Sequence, residues 1–205
     1  MTLHEQVDRL LAAGVAQAAA VGAEELRAHA AGLPDEPDAV LAVHPRLAPA
    51  HALAGLLRHE NRPGFVVADM TDLDEFVPID GVRVPDAPLY LIHGVDRGDD
   101  MRNRSPDEAL TALDRRGRTP LTLNEGISWL LQEPKQLEPN HCFMTIASRK
   151  RRPRGLDART PAIWISGGTG RDGAERRGAP KVGWCWAGNR HTWLGMASAT
   201  RRGPG

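Results

Sequence analysis

CFMTIAS (Cys142–Ser148), TPAIWIS (Thr160–Ser166), KVGWCWAG (Lys181–Gly188) and HTWLGMASA (His191–Ala199) are the four runs that decide the fold. Each is short, rich in β-branched and aromatic residues, and set off by glycine or charged residues, the pattern of strands. The last two flank Gly188-Asn189-Arg190, so the sequence predicts an antiparallel hairpin there, within a C-terminal antiparallel sheet of about four strands. With side chains alternating along a strand, Trp184 and Trp186 share one face while Gly183, Cys185 and Ala187 share the other. Trp193 lies on the same face of its own strand as His191.

Upstream, Ser105-Pro106-Asp107-Glu108 and Thr122-Leu123-Asn124-Glu125 each set a carboxylate three residues after a hydroxyl. That spacing lets side chain and backbone cap each other at a helix start, and Pro106 suits a first helical position. Helices are therefore predicted over Pro106–Arg115 and Leu123–Gln132. Further upstream, AVLAV (Ala39–Val43), a helical segment from Pro49 and GFVVAD after Pro63 have the spacing of a small β-α-β unit. PLYLIHGV (Pro88–Val95) reads as another strand. Val7, Leu10, Leu11 and Val15, then AEELRAHAAGL ahead of Pro34, predict two short amphipathic N-terminal helices. The fold class expected is α+β, with a single domain over residues 1–200 and a frayed tail over 201–205.

The chain has 205 residues, with 26 acidic and 26 basic. A core of this size needs no metal or disulfide. The neutrality is a cancellation: residues 1–100 carry 17 acids and 7 bases, and residues 101–205 carry 9 acids and 19 bases. The acids gather between Asp69 and Asp100, and many bases in RRGR, SRKRRPR and the glycine loop. One acidic and one basic side are expected, a dipolar surface able to orient a homodimer or an anionic ligand. No apolar run approaches the roughly 20 residues of a membrane helix. Glu5 and Asp8 stand where a secretory signal carries positive charge, so a cytoplasmic location with Cys142 and Cys185 reduced is expected.

Several motifs are weaker than they look. Gly168-Thr169-Gly170-Arg171-Asp172-Gly173 matches G-x-G-x-x-G, but only AERR precedes Gly178 and Pro180, too little for the helix that must meet a pyrophosphate. The basic block SRKRRPRGLDAR comes with no nucleic-acid-binding motif and no interleaved aromatics, so it reads as a solvated loop and nucleic acid as an unlikely partner. His141 and Cys142 point to opposite faces of a strand, and no zinc spacing occurs. His44, His51, His59 and His93 are scattered without ligand spacing. Neither a metal nor a cofactor is expected.

Two constellations remain. Trp184, Trp186 and Trp193 would wall a small-molecule pocket, with Asn189, Arg190 and His191 at its mouth and Cys185 as a nucleophile served by His191. Glu125 would act as acid or base beside Asn124, with Arg118 holding a carboxylate or phosphate. Against these stand plainer roles: an aromatic cluster closing the core or an interface, a capping carboxylate at Glu125, and an inert buried thiol.

The strings RGRTPLTLNEGISWLLQEPKQLEPNHCFMTIASR, TPAIWISGG and APKVGWCWAGNRHTWLGMASATRR resemble an actinobacterial family known only as domain of unknown function 5701. QVDRLLAAG, RPGFVVADM and DLDEFVPIDGVRVPDAPLYLIHGVDRGDDMRNRSPDEAL resemble it as well. The resemblance implies a bacterial cytoplasmic protein of one domain and carries no residue roles. Two function classes fit: an enzyme of accessory or secondary metabolism working on an anionic small molecule by acid–base chemistry, or a non-catalytic binding or interaction protein with a tryptophan-rich surface.

Overall fold

In the computed structural model, which describes residues 1–203, the chain opens on three helices, α1 (Leu3–Ala13), α2 (Val15–Ala18) and α3 (Ala23–Ala30). Thr2 and Glu5 form a capping box at the start of α1, and Val7 and Leu10 carry its apolar stripe into the core. Then come β1 (Ala39–Val43), α4 (Ala50–Ala54), the short strands β2 (Arg58–His59), β3 (Arg62–Pro63) and β4 (Phe65–Val66), β5 (Phe76–Pro78) and β6 (Leu89–His93).

The expected β-α-β unit does not form. β1 pairs antiparallel with β6, Leu41 opposite Leu91. The strand after α4 shrinks to β4 and joins a different sheet. A β-α-β unit needs a free strand edge on which the second strand can lie parallel. On β1 that edge is already taken by side chains, as described below.

α5 (Pro106–Arg115) and α6 (Leu123–Gln132) have the predicted bounds, with the short strand β7 (Thr119–Pro120) between them. Both capping boxes are made: Ser105 Oγ accepts the Glu108 amide, and Thr122 Oγ1 accepts the Glu125 amide.

The C-terminal strands are β8 (Cys142–Met144), β9 (Ser148–Arg152), β10 (Gly155–Leu156), β11 (Arg159–Ile165), β12 (Pro180–Trp186), β13 (Leu194–Met196), β14 (Ser198–Ala199) and β15 (Arg201–Arg202). The central sheet has the order β13-β8-β11-β12-β4. Its middle is antiparallel as expected, but both outer pairs, β13 with β8 and β4 with β12, are parallel. β12 and β13 are therefore not a hairpin. They run in the same direction with two strands between them, and residues 187–193 cross from one to the other. Three strand spacings are about 14 Å, within reach of seven extended residues.

α6 packs on one face of this sheet. A Cβ on Gly126 would lie 2.6 Å from Thr145 Cγ2 and 3.0 Å from Phe143, so only glycine lets the helix sit this close. A second sheet, β1-β6-β15, packs on the other side of α6, and a third, β10-β9-β5, closes one end. The architecture is a single mixed α+β domain. Arg201 and Arg202, expected in a frayed tail, form β15 opposite His93 and Ile92; the rest of that expectation, at residues 204–205, lies outside the described residues.

The split of charge closes on itself. Asp72 meets Lys150 and Arg159, Glu75 meets Lys150, Asp80 meets Arg151, Asp69 meets Arg171 and Asp100 meets Arg116. The β5–β9 pairing brings the acidic turn against the basic strand. The expected dipolar surface is instead a set of mutual contacts. Among the described residues no helix is long and apolar enough to cross a membrane.

Candidate functional site

An edge strand exposes backbone groups that need partners. On β1 side chains supply them. Gln6 of α1 donates to Ala39 O and accepts from Leu41 N. From α6, Gln132 donates to Leu41 O, Ser128 Oγ accepts from Val43 N, and Asn124 Nδ2 donates to Val43 O at 3.2 Å and Ala48 O at 3.0 Å. Residues 124, 128 and 132 lie one helical turn apart, about 6 Å per step, close to the roughly 6.8 Å between alternate strand residues. The helix thus acts as a ladder for the strand.

This arrangement fixes the polar floor of a cavity. Where β1 ends and α6 begins, a cavity of about 230 Å³ is walled by Pro45, Pro49, Leu73, Phe76, Val77, Pro78 and Val84 and floored by His44, Thr122, Asn124 and Ser148. Asn124 is 6 % exposed and Ser148 2 %. Since both Asn124 donors go to carbonyls, its amide orientation is determined, and Oδ1 is left with no hydrogen bond from the described residues. Ser148 Oγ accepts the Leu123 amide at 2.8 Å and keeps its hydroxyl proton to give. His44 Nδ1 accepts the Arg46 amide at 3.1 Å, so in the neutral ring Nε2 carries the proton. Burial, with the Arg46 charge in support, holds the His44 pKa below the usual histidine value. The floor therefore offers a ring N–H donor, an amide acceptor and hydroxyls. Asp74 also lines the cavity, and its carboxylate holds the exposed His51 by the His51 amide and ring.

The residues expected to be catalytic stand elsewhere. Glu125 is fully buried and its carboxylate is saturated: it accepts from Tyr90 Oη at 3.0 Å, from the Thr122 amide at 2.7 Å, and from Arg202 Nε and Nη2 at 2.6 and 2.7 Å. Arg202 also donates to Thr119 Oγ1 and Pro120 O. Burial and the Glu125 charge raise the Tyr90 pKa well above that of free tyrosine. The result is a structural ion pair that ties β15 to the start of α6. Arg118 is likewise committed, to Ser198 Oγ, Ser198 O and Gly94 O.

The tryptophans divide between the two faces of the sheet. Trp184 and Trp186 pack edge-on at 4.6 Å on the side that Val182 and Ile163 turn toward α6. Trp193 packs against Trp164 at 6.2 Å, and Trp164 covers Gly183 on the opposite side. A common wall of Trp184, Trp186 and Trp193 is thereby excluded. Asn189 is exposed in the turn that follows β12.

His191 packs on Trp193 and makes no hydrogen bond to Cys185. Burial pushes the Cys185 thiol up to about 11 and lowers His191, so neither group is tuned as a thiolate–imidazolium pair would be. Of the expected site residues, only Asn124 lines the cavity. His44 and Ser148 carry no joint signal in the sequence because they are more than 100 residues apart and only the fold brings them to one cavity. The one local signal was a histidine-proline pair directly after the AVLAV strand.

In comparison with known proteins, the model of a family described as a "Family of unknown function (DUF5701)" matches residues 9–205. No curated protein and no solved structure matches the chain.

Proposed function

We propose, on the premise that the chain belongs to this family of unknown function, that it binds a small, mostly apolar molecule through a single neutral polar head. The observation that carries this reading is a pair of polar atoms on the floor of a cavity with largely apolar walls: the Oδ1 of Asn124, which accepts no hydrogen bond from the described residues, and the His44 ring, whose Nε2 carries the proton. A head that accepts from His44 Nε2 and donates to Asn124 Oδ1, such as a carboxamide, matches both atoms. The volume is below the roughly 300–1,000 Å³ of drug-sized pockets, which favours a ligand of one ring. Glu125 and Arg118 are bonded within the protein and His191 lies outside this cavity, so the three do not join there for acid–base turnover of an anion.

The test is a thermal-shift and calorimetric titration with benzamide, run on the wild type and on Val84→Phe, which fills the cavity from its wall and leaves the floor bonds alone. Saturable binding by the wild type, weakened at least about tenfold in the variant, is expected. Equal binding by both proteins, or none by either, overturns the proposal.

A second reading, an interaction protein, draws on Trp186, which is 48 % exposed beside Trp184. Light scattering that finds a dimer, with Trp186→Ala restoring the monomer, would support it. We assign the protein to the cytoplasm of an actinobacterium; the unpaired Cys142 and Cys185 suit a reducing compartment.

A further inference from the structure

The opposite face of the central sheet carries a second cleft, separate from the His44–Asn124 cavity. It has a volume of about 470 Å³ and is lined by Trp164, Trp193, Cys142, Asn140, Ser166 and Arg177, among others.

Its aromatic wall is held rigid. A Cβ on Gly183 would lie 2.6 Å from Trp164 Cη2, so the indole lies directly on the glycine, and Lys181 Nζ sits 4.8 Å from the ring centroid. Lys181 is held in turn by Asp172 at 2.7 Å, and Asp172 also accepts from Ser166 Oγ. Trp193 meets Trp164 edge-on, and His191 also packs edge-on against Trp193 at 5.5 Å. The cleft floor includes the thiol of Cys142, which donates to Glu138 O at 3.3 Å and whose pKa is raised by burial, so it presents a soft neutral surface.

The rim carries a cation. Arg177 is exposed and its guanidinium makes no hydrogen bond or ion pair with the described residues, while its neighbours are engaged: Arg171 with Asp69, Lys181 with Asp172, and Arg176 over the Phe65 ring. Gly168, at φ +67°, packs onto the Arg177 backbone, where a Cβ would lie 2.6 Å from Arg177 Cβ. The glycine loop thus serves to set Arg177 at the mouth of the cleft, a role its G-x-G-x-x-G pattern does not suggest.

We propose that this cleft is a binding site for a planar aromatic carboxylate, its ring against Trp164 and Trp193 and its carboxylate on the Arg177 guanidinium. Two preorganised indoles supply apolar area at little entropic cost, and an unpaired arginine supplies bidentate recognition of a carboxylate. Five tryptophans give a direct readout. In a 1H–15N spectrum titrated with indole-3-acetate, the indole N–H signals of Trp164 and Trp193 shift saturably, and that of Trp129, which packs on Phe143 in the core, stays still.

Arg177→Gln, an exposed substitution that keeps the fold, weakens the acetate about fivefold and leaves indole-3-acetamide unchanged. No saturable shift at Trp164 or Trp193 up to about 10 mM overturns the site. Equal affinity for acetate and acetamide, or for wild type and Arg177→Gln, overturns the assignment of its ligand as an anion. Because Val84→Phe alters only the other cavity, indole-3-acetate binds that variant as it binds the wild type. The two proposals therefore fail independently.

Discussion

Glu125 illustrates how one residue can satisfy a local rule and still surprise. Its place three residues after Thr122 announces a cap, and the cap is made. What the local spacing cannot announce is Arg202, 77 residues later, whose guanidinium holds the same carboxylate in a site closed to solvent. Removing one partner from a buried ion pair strands the other charge, so Arg202→Met is expected to cost about 3–5 kcal/mol in chemical denaturation, far more than breaking an exposed pair such as Arg151–Asp80. Cys185 gives a second residue-level expectation. With its thiol pushed up to about 11 by burial, it reacts with iodoacetamide at pH 8 much more slowly than free cysteine, whereas a Cys185–His191 dyad would react faster. His44 gives a third. Protonation at Nδ1 would break its bond to the Arg46 amide, so benzamide affinity is expected to fall as pH drops below the ordinary histidine range.

At the scale of elements, legibility followed the range of the chemistry. The starts of α5 and α6 were legible because a hydroxyl and a carboxylate sit three residues apart in each, with Pro106 added in α5. α1 carries the same signature in Thr2-Leu3-His4-Glu5. The hairpin at Gly188-Asn189-Arg190 was misread because a turn signal and two strand-like runs do not say which strands pair. The pairing was settled by β8, more than 30 residues upstream of β12, which takes β13 as a parallel partner.

Asn124, Ser128 and Gln132 were visible as polar residues on an apolar helix, but their partner, the outer edge of β1, is 81 to 91 residues away. This edge contact is testable. Ser128→Ala and Gln132→Leu each leave a buried β1 group unpaired and are expected to destabilise the fold by about 1–3 kcal/mol, as read from urea midpoints at unchanged m-value. The candidate cavity was illegible for the same reason: its floor takes residues from the end of β1, the start of α6 and the start of β9, and only the fold brings them together.

For the whole molecule, the separation of acids and bases along the chain is a device for joining its two halves. Asp72 is held down to about 2, first by the Arg159 hydrogen bonds and then by Lys150, and Asp157 is lowered further by Arg159. A carboxylate with a depressed folded pKa contributes stability above its unfolded value and loses it as pH falls toward the folded one. Stability is therefore expected to drop between about pH 4 and pH 2, and Asp72→Asn should flatten that drop while lowering stability at neutral pH. A slope unchanged in Asp72→Asn would show that the acidic turn and the basic strand are not energetically joined.

The central claim, a ligand cavity at the junction of β1 and α6, is tested most directly by a crystal structure of the protein soaked in benzamide. Density inside the cavity is expected, with the amide oxygen within about 3.2 Å of His44 Nε2 and the amide nitrogen equally close to Asn124 Oδ1. A cavity left empty at saturating benzamide, or a ring bound with its amide turned away from both residues, would contradict it.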